Sequence, residues 1–267
     1  MLTVVPMLLM IAGGIALAQA VSDPAQVTLR WLRLGGLVAL GLLTVTGLVV
    51  VRTGSVWQAV GVGLITVPFV VQLLTVQMGH RRTQRIAAVC GVLLVVVVLA
   101  VLGTGSMGTR LAAQEELSIL LVTAVAVTAP LSAGLMGGFI MTMLLGHAYL
   151  TAGNEMTQAP FRRLVRMLGI LLALRMGASI VFGLWPYFGP LTHDVGLGTS
   201  HLWNTVMITA RYGVGLLVPA ILTFMIRDCV RRRANQSATG ILYVAGVLVI
   251  LGEGLALGLQ SDTGWIF

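Results

Sequence analysis

Long runs of apolar residues, broken at short intervals by arginine-bearing turns, set the pattern of this chain. Eight runs are long enough to cross a hydrocarbon core about 30 Å thick as helices. They lie at about 2–21, 34–51, 57–78, 86–102, 117–147, 164–185, 202–226 and 241–259. Pro68, Pro130 and Pro219 fall inside runs, which helices in lipid tolerate because neighbouring groups satisfy the freed carbonyls. The fifth run carries no charge from Leu117 to Asn154. It is too long for one plain span and too short for two with a turn. The pattern predicts one helix, tilted or kinked at Pro130, that projects past the membrane surface.

The polar interruptions predict the connections. The first run ends in Ala18-Gln19-Ala20, which resembles a signal-peptide cleavage site, but no positive residue precedes the run. It therefore reads as a retained first helix. Ser22 or Asp23 is placed to cap a short interfacial helix starting at Pro24. A glycine-rich loop is expected before Arg110, Glu115 and Glu116, and a polar turn at Asn235 to Gly240. Gly134 with Gly138, and Gly254 with Gly258, have the spacing that lets membrane helices approach closely.

Composition agrees with this pattern. The chain of 267 residues is 58% hydrophobic and 9% charged, where soluble domains carry about 25% charged residues. So much apolar surface needs lipid as its solvent. The net charge of +8 then has nothing to do with nucleic acid. Arg30, Arg33, Arg81, Arg82, Arg85, Arg162, Arg163, Arg166, Arg227, Arg231, Arg232 and Arg233 all fall in alternate connections, and only Arg52 and Arg110 fall in the others. By the positive-inside rule this predicts both termini on the non-cytoplasmic side. Trp57, Trp185, Trp203 and Trp265 then all lie at the outer interface, as an aromatic belt would. The expected fold is an all-α integral membrane protein. It is a single polytopic domain over residues 1–267, a bundle of about eight transmembrane helices, and a bacterial inner membrane is the assumed setting.

Three charges lie inside the runs: Arg175, Arg211 and Glu253, on the sixth, seventh and eighth helices. At about 1.5 Å per residue each sits roughly 12–18 Å from one membrane face, so all three share a depth. An isolated charge there costs several kcal/mol, so they are expected to pair. Such a cluster fits a structural bridge. It also fits a polar site for a quinone headgroup, a haem propionate, a proton path or a transported anion. The four histidines divide by side. His80 and His147 fall at inner helix ends, and His193 and His201 near the outer face, so one inner and one outer pair are candidates for b-type haem ligation. The spacing of a four-helix cytochrome, with deep histidines repeated on one helix, is absent. His147, flanked by Leu145, Gly146, Ala148 and Tyr149, is the one of the four expected to be buried and functional. His193 beside Asp194 suits proton uptake or quinone bonding at the outer face.

Cys90 and Cys229 fit no CxxC or CxxCH pattern and read as small apolar fillers. There is no phosphate-binding loop, GxSxG or HExxH motif, and no paired-carboxylate spacing. A stand-alone hydrolase is thereby set aside, and no metal site is expected. The helix count and bare loops look generically like membrane anchor subunits of respiratory oxidoreductases. The leading expectation is a subunit of an electron-transfer complex, at most part of an oxidoreductase. It would contact quinone, haem b or both through His80, His147, His193, His201, Arg175, Arg211 and Glu253. Its partners would be the lipid bilayer and other membrane subunits. A cofactor-free structural or assembly subunit and a small secondary transporter are the alternatives.

Overall fold

In the computed structural model, residues 4–54, 56–111, 115–152, 157–188 and 201–263 are described. The helices are α1 (Val4–Val21), α2 (Leu29–Thr53), α3 (Val56–Gln77), α4 (Arg81–Leu111), α5 (Glu115–Ala152) and α6 (Ala159–Phe188). They continue with α7 (His201–Tyr212), a π-helical turn at Gly213–Leu217, α8 (Val218–Arg231) and α9 (Asn235–Thr263). Among the described residues there is no strand. The π turn joins α7 to α8 as one span, so among the described residues eight helical segments are long and apolar enough to cross a membrane. Large apolar side chains such as Leu37, Leu48, Leu64, Leu93, Val97 and Phe224 face outward. A surface of that kind is at home in lipid, and the chain is a multi-pass helical membrane protein.

Several boundaries differ from those expected. No helix starts at Pro24. Asp23 instead accepts the Ala25 N–H in a tight turn, and Thr28 caps α2 by accepting the Trp31 N–H. Val27 and Trp31 are buried here, and the Trp31 indole donates to the Met141 carbonyl on α5 at 3.0 Å. That anchoring draws Arg30 and Arg33 into the first turns of α2. The glycines from Gly103 to Gly108 do not form a loop, because α4 runs on to Leu111. The fifth span is one helix continuous through Pro130, as expected.

The bundle is organised around α1 and α5. Buried residues make up 61% and 72% of their apolar stretches, against 33–39% for the other spans. Helix α1 packs on α2, α4 and α5, and α5 packs on α1, α4, α6 and α9. Small residues make this possible: a Cβ on Gly14 would lie 2.8 Å from the Gly137 Cα, so the two backbones touch. The two expected glycine pairs part ways. Gly134 and Gly138 let α6 approach closely, a Cβ at Gly134 standing 2.8 Å from Leu171 and 3.0 Å from Leu17 of α1 and one at Gly138 3.0 Å from Leu168, whereas Gly254 and Gly258 meet nothing within 4 Å.

The arginine-bearing connections converge on one end. Carbonyls at and just past the end of α1 accept from arginines of two other connections. Arg85 Nε donates to Ala20 at 3.0 Å, Arg163 Nη1 to Val21 at 3.4 Å, and Arg81 to Pro24. Guanidinium groups at a helix C-terminus meet both its orphan carbonyls and its dipole. The start of α9 reaches the same end, with Thr239 against Gly146 of α5.

Candidate functional site: a buried Arg–Glu–Arg cluster

Arg175, Arg211 and Glu253 come together in the interior, on α6, α7 and α9. Each is at most 2% exposed, and among the described residues Arg211 is the largest fully buried side chain. Each lies about 15–20 Å from the helix end opposite the arginine-bearing connections, at 1.5 Å per residue. The shared depth expected from sequence is met.

Glu253 is the hub. Its Oε1 accepts from Arg211 Nη2 at 3.0 Å, and its Oε2 accepts from Arg175 Nη2 at 3.2 Å and from the Ser132 hydroxyl at 2.7 Å. Ser132 Oγ accepts in turn from Arg175 Nε at 2.9 Å. Arg175 Nη1 donates to Ser179 Oγ at 2.6 Å, one helical turn along α6. The Tyr212 hydroxyl donates to the Ser179 carbonyl at 2.8 Å, which ties α7 to α6. One carboxylate thus links four helices. Charge-assisted hydrogen bonds of this kind are about twice as strong as neutral ones. Most of their gain offsets the cost of removing the charges from water.

Local backbone chemistry brings Arg211 to Glu253. Pro219 has no N–H to give the fourth preceding carbonyl, and its ring crowds that turn. The widened π turn at Gly213–Leu217 lies immediately upstream. Such turns admit one extra residue into a helix and often occur at functional sites. Gly215, within it, abuts Gly252: a Cβ on Gly215 would stand 2.6 Å from the Gly252 Cα. Gly252 immediately precedes Glu253. The glycine contact therefore brings the backbone beside Arg211 against the backbone beside Glu253.

The cluster is not balanced. Two guanidinium groups face one carboxylate, leaving one net positive charge. Arg211 Nε and Nη1 are buried and have no hydrogen-bond partner among the described residues. Donors so enclosed are normally satisfied, and an unmet one costs about 1–3 kcal/mol, more on a charged group.

The histidines are placed differently. His147 is exposed on α5, which corrects the expectation that it is buried. Leu145, Gly146 and Tyr149 point inward, and His147 is two residues, about 200°, round from Leu145. His80 is also exposed, in the turn that Gly79 makes with φ 77° after α3. His80 immediately precedes α4, where its carbonyl accepts the Gln84 N–H, and α4 packs on α5, so exposure rather than helix placement is what sets His80 and His147 apart from a buried ligand pair. His193 and the Asp194 beside it lie outside the described residues. His201 begins α7, and its side chain also lies outside them. Of the four tryptophans expected at the outer interface, Trp57 and Trp203 are exposed, and Trp185 and Trp265 lie outside the described side chains. Cys90 is exposed, Cys229 is partly buried, and both are free thiols.

Sequence reasoning missed Ser132, Ser179 and Tyr212. Two had a signal: Ser179 is one turn from Arg175, on the same face, and Tyr212 adjoins Arg211. Ser132 had none, as one hydroxyl among several on α5. A second polar contact was also missed, where Gln72 of α3 donates to Gln19 of α1, and Gln19 donates to the Leu32 carbonyl at 2.9 Å. Fold and site together define a polytopic helical membrane protein with an ion-pair cluster at its core. No family model, curated protein or solved structure matches the chain.

Proposed function

We propose that this chain is an integral membrane subunit of a larger electron-transfer complex of the bacterial inner membrane, both termini outside the cytoplasm, and that its Arg175–Glu253–Arg211 cluster contacts the polar head of a quinone. The carrying observation is Arg211, a buried cation with two nitrogens unengaged by the described residues. Quinone carbonyl oxygens are acceptors, and a reduced, charged head would be favoured by the net positive charge. Connections that hold no large extramembrane domain fit a subunit whose partners supply the redox centres. The converging arginine turns support the orientation, since positive residues concentrate on the cytoplasmic side. Haem b has less support than quinone, because His80 and His147 are both exposed.

The test is the quinone content and turnover of the purified complex. Arg211→Leu should lower quinone retention by roughly tenfold or more, as loss of a hydrogen bond from a charged donor implies. Unchanged quinone content and turnover would refute the reading.

A second reading is a cofactor-free structural subunit. It is favoured by the closure of the cluster, since Glu253 bonds both arginines and Ser132 with no side chain opening to the surface. It predicts that Arg211→Leu impairs assembly, with no loss of a bound molecule.

A further inference from the structure

The interior of the bundle holds a charge imbalance that the described residues do not resolve. Arg175 and Glu253 neutralise each other, and Ser132 and Ser179 take up further donors of Arg175. Arg211 adds a second cation, bound to the carboxylate by Nη2 alone. At 0% exposure it does not touch bulk water, and the electrostatic cost of an uncompensated charge in such a place is large. A lysine can shed its proton when buried, whereas an arginine side chain in a protein keeps its charge. Something negative is therefore needed beside Nε and Nη1.

The surroundings limit its size. A Cβ on Gly215 would lie 3.5 Å from Arg211 Nη1, so that flank of the guanidinium is bordered by a residue with no side chain. Gly215 itself is pressed on Gly252. The remaining acceptor must be small and singly charged, because one charge is missing.

We infer that Arg211 binds a monovalent anion, a halide or a small carboxylate, through Nε and Nη1, the nitrogens Glu253 does not engage. This does not rest on the quinone reading. A quinone head reaching the same nitrogens would displace the anion, so the two ligands would compete.

The experiment uses the full chain, purified in neutral detergent and freed of quinone. Its thermal midpoint is followed as sodium chloride, bromide or formate replaces sodium sulfate at constant ionic strength. Wild-type protein should gain about 5 °C or more at ~100-fold excess over Kd. A response to chloride and bromide assigns a halide, and a response to formate alone assigns a carboxylate. Arg211→Leu leaves the neutral Arg175–Glu253 pair, so it should fold and lose the response. Bromide should also give an anomalous peak beside Arg211 in crystals of the wild type. No anion dependence in the wild type, or equal dependence in Arg211→Leu, would overturn the inference. So would an Asp194→Asn variant that destabilises a wild type indifferent to anions, because the counter-charge would then come from the chain itself. Quinone binding, measured separately, can fail or succeed without changing any of these outcomes.

Discussion

At the scale of single residues the charge count ranks three substitutions. Glu253→Gln leaves two buried guanidinium groups without their carboxylate, and should cost about 3–5 kcal/mol. Arg175→Leu leaves a neutral Arg211–Glu253 pair but strips Ser132 and Ser179 of a partner, a smaller loss. Arg211→Leu removes the surplus cation and leaves every other bond of the cluster in place, so it should be the mildest. Detergent unfolding of the three variants checks the order, and Arg211→Leu as the most destabilising of the three would refute the charge argument. The three charges were legible in the sequence because a charge in an apolar run is too costly to be idle. Their bonding pattern was not, since it depends on how each helix is rotated. His147 shows the limit: its apolar neighbours in sequence mark a buried helix, but they sit on the other face of it.

At the scale of elements, the π turn and the glycine contact set where Arg211 points. Deleting Val214 would remove the extra residue and rotate α7 by about 100° relative to α8. That should separate Arg211 from Glu253. It should also abolish any functional role of Arg211 while the arginine is still present. Turnover of the deletion variant equal to wild type would show that the turn does not position the site. Gly252→Leu should act more harshly, by forcing α9 off the π turn, with a cost of about 1–3 kcal/mol or more from overpacking. Circular dichroism melting would register it. The runs themselves, and the single long α5, were legible because length and apolarity suffice to define a span. The π turn was not, although Gly213, Gly215 and Pro219 lie together in the sequence. Proline inside a span permits a kink, a π turn or neither, and packing decides.

At the scale of the whole molecule, the arginine-rich connections at one end define a sidedness that can be checked directly. With Cys90 and Cys229 replaced by alanine, a cysteine at Ser237 should react with a membrane-impermeant thiol reagent only after cells are opened. A cysteine at Gln58 should react in intact cells. The reverse pattern would invert the topology. This asymmetry was legible because twelve of sixteen arginines share alternate connections. The central position of α1 and α5 was less so, because runs apolar on every side can be either central or lipid-facing. Contacts such as Gly14 on Gly137 decide it.

The most direct measurement is the assembly and turnover of the native complex carrying Arg211→Leu, compared with wild type on native gels and in a quinone-coupled assay. The account predicts a complex that assembles in normal yield, since the Arg175–Glu253–Ser132 bonds survive, yet turns over roughly tenfold or more slowly. A complex that fails to assemble, or one that assembles and turns over normally, would contradict it: the first would make Arg211 a packing residue, and the second would leave its unpaired nitrogens without a role in the reaction.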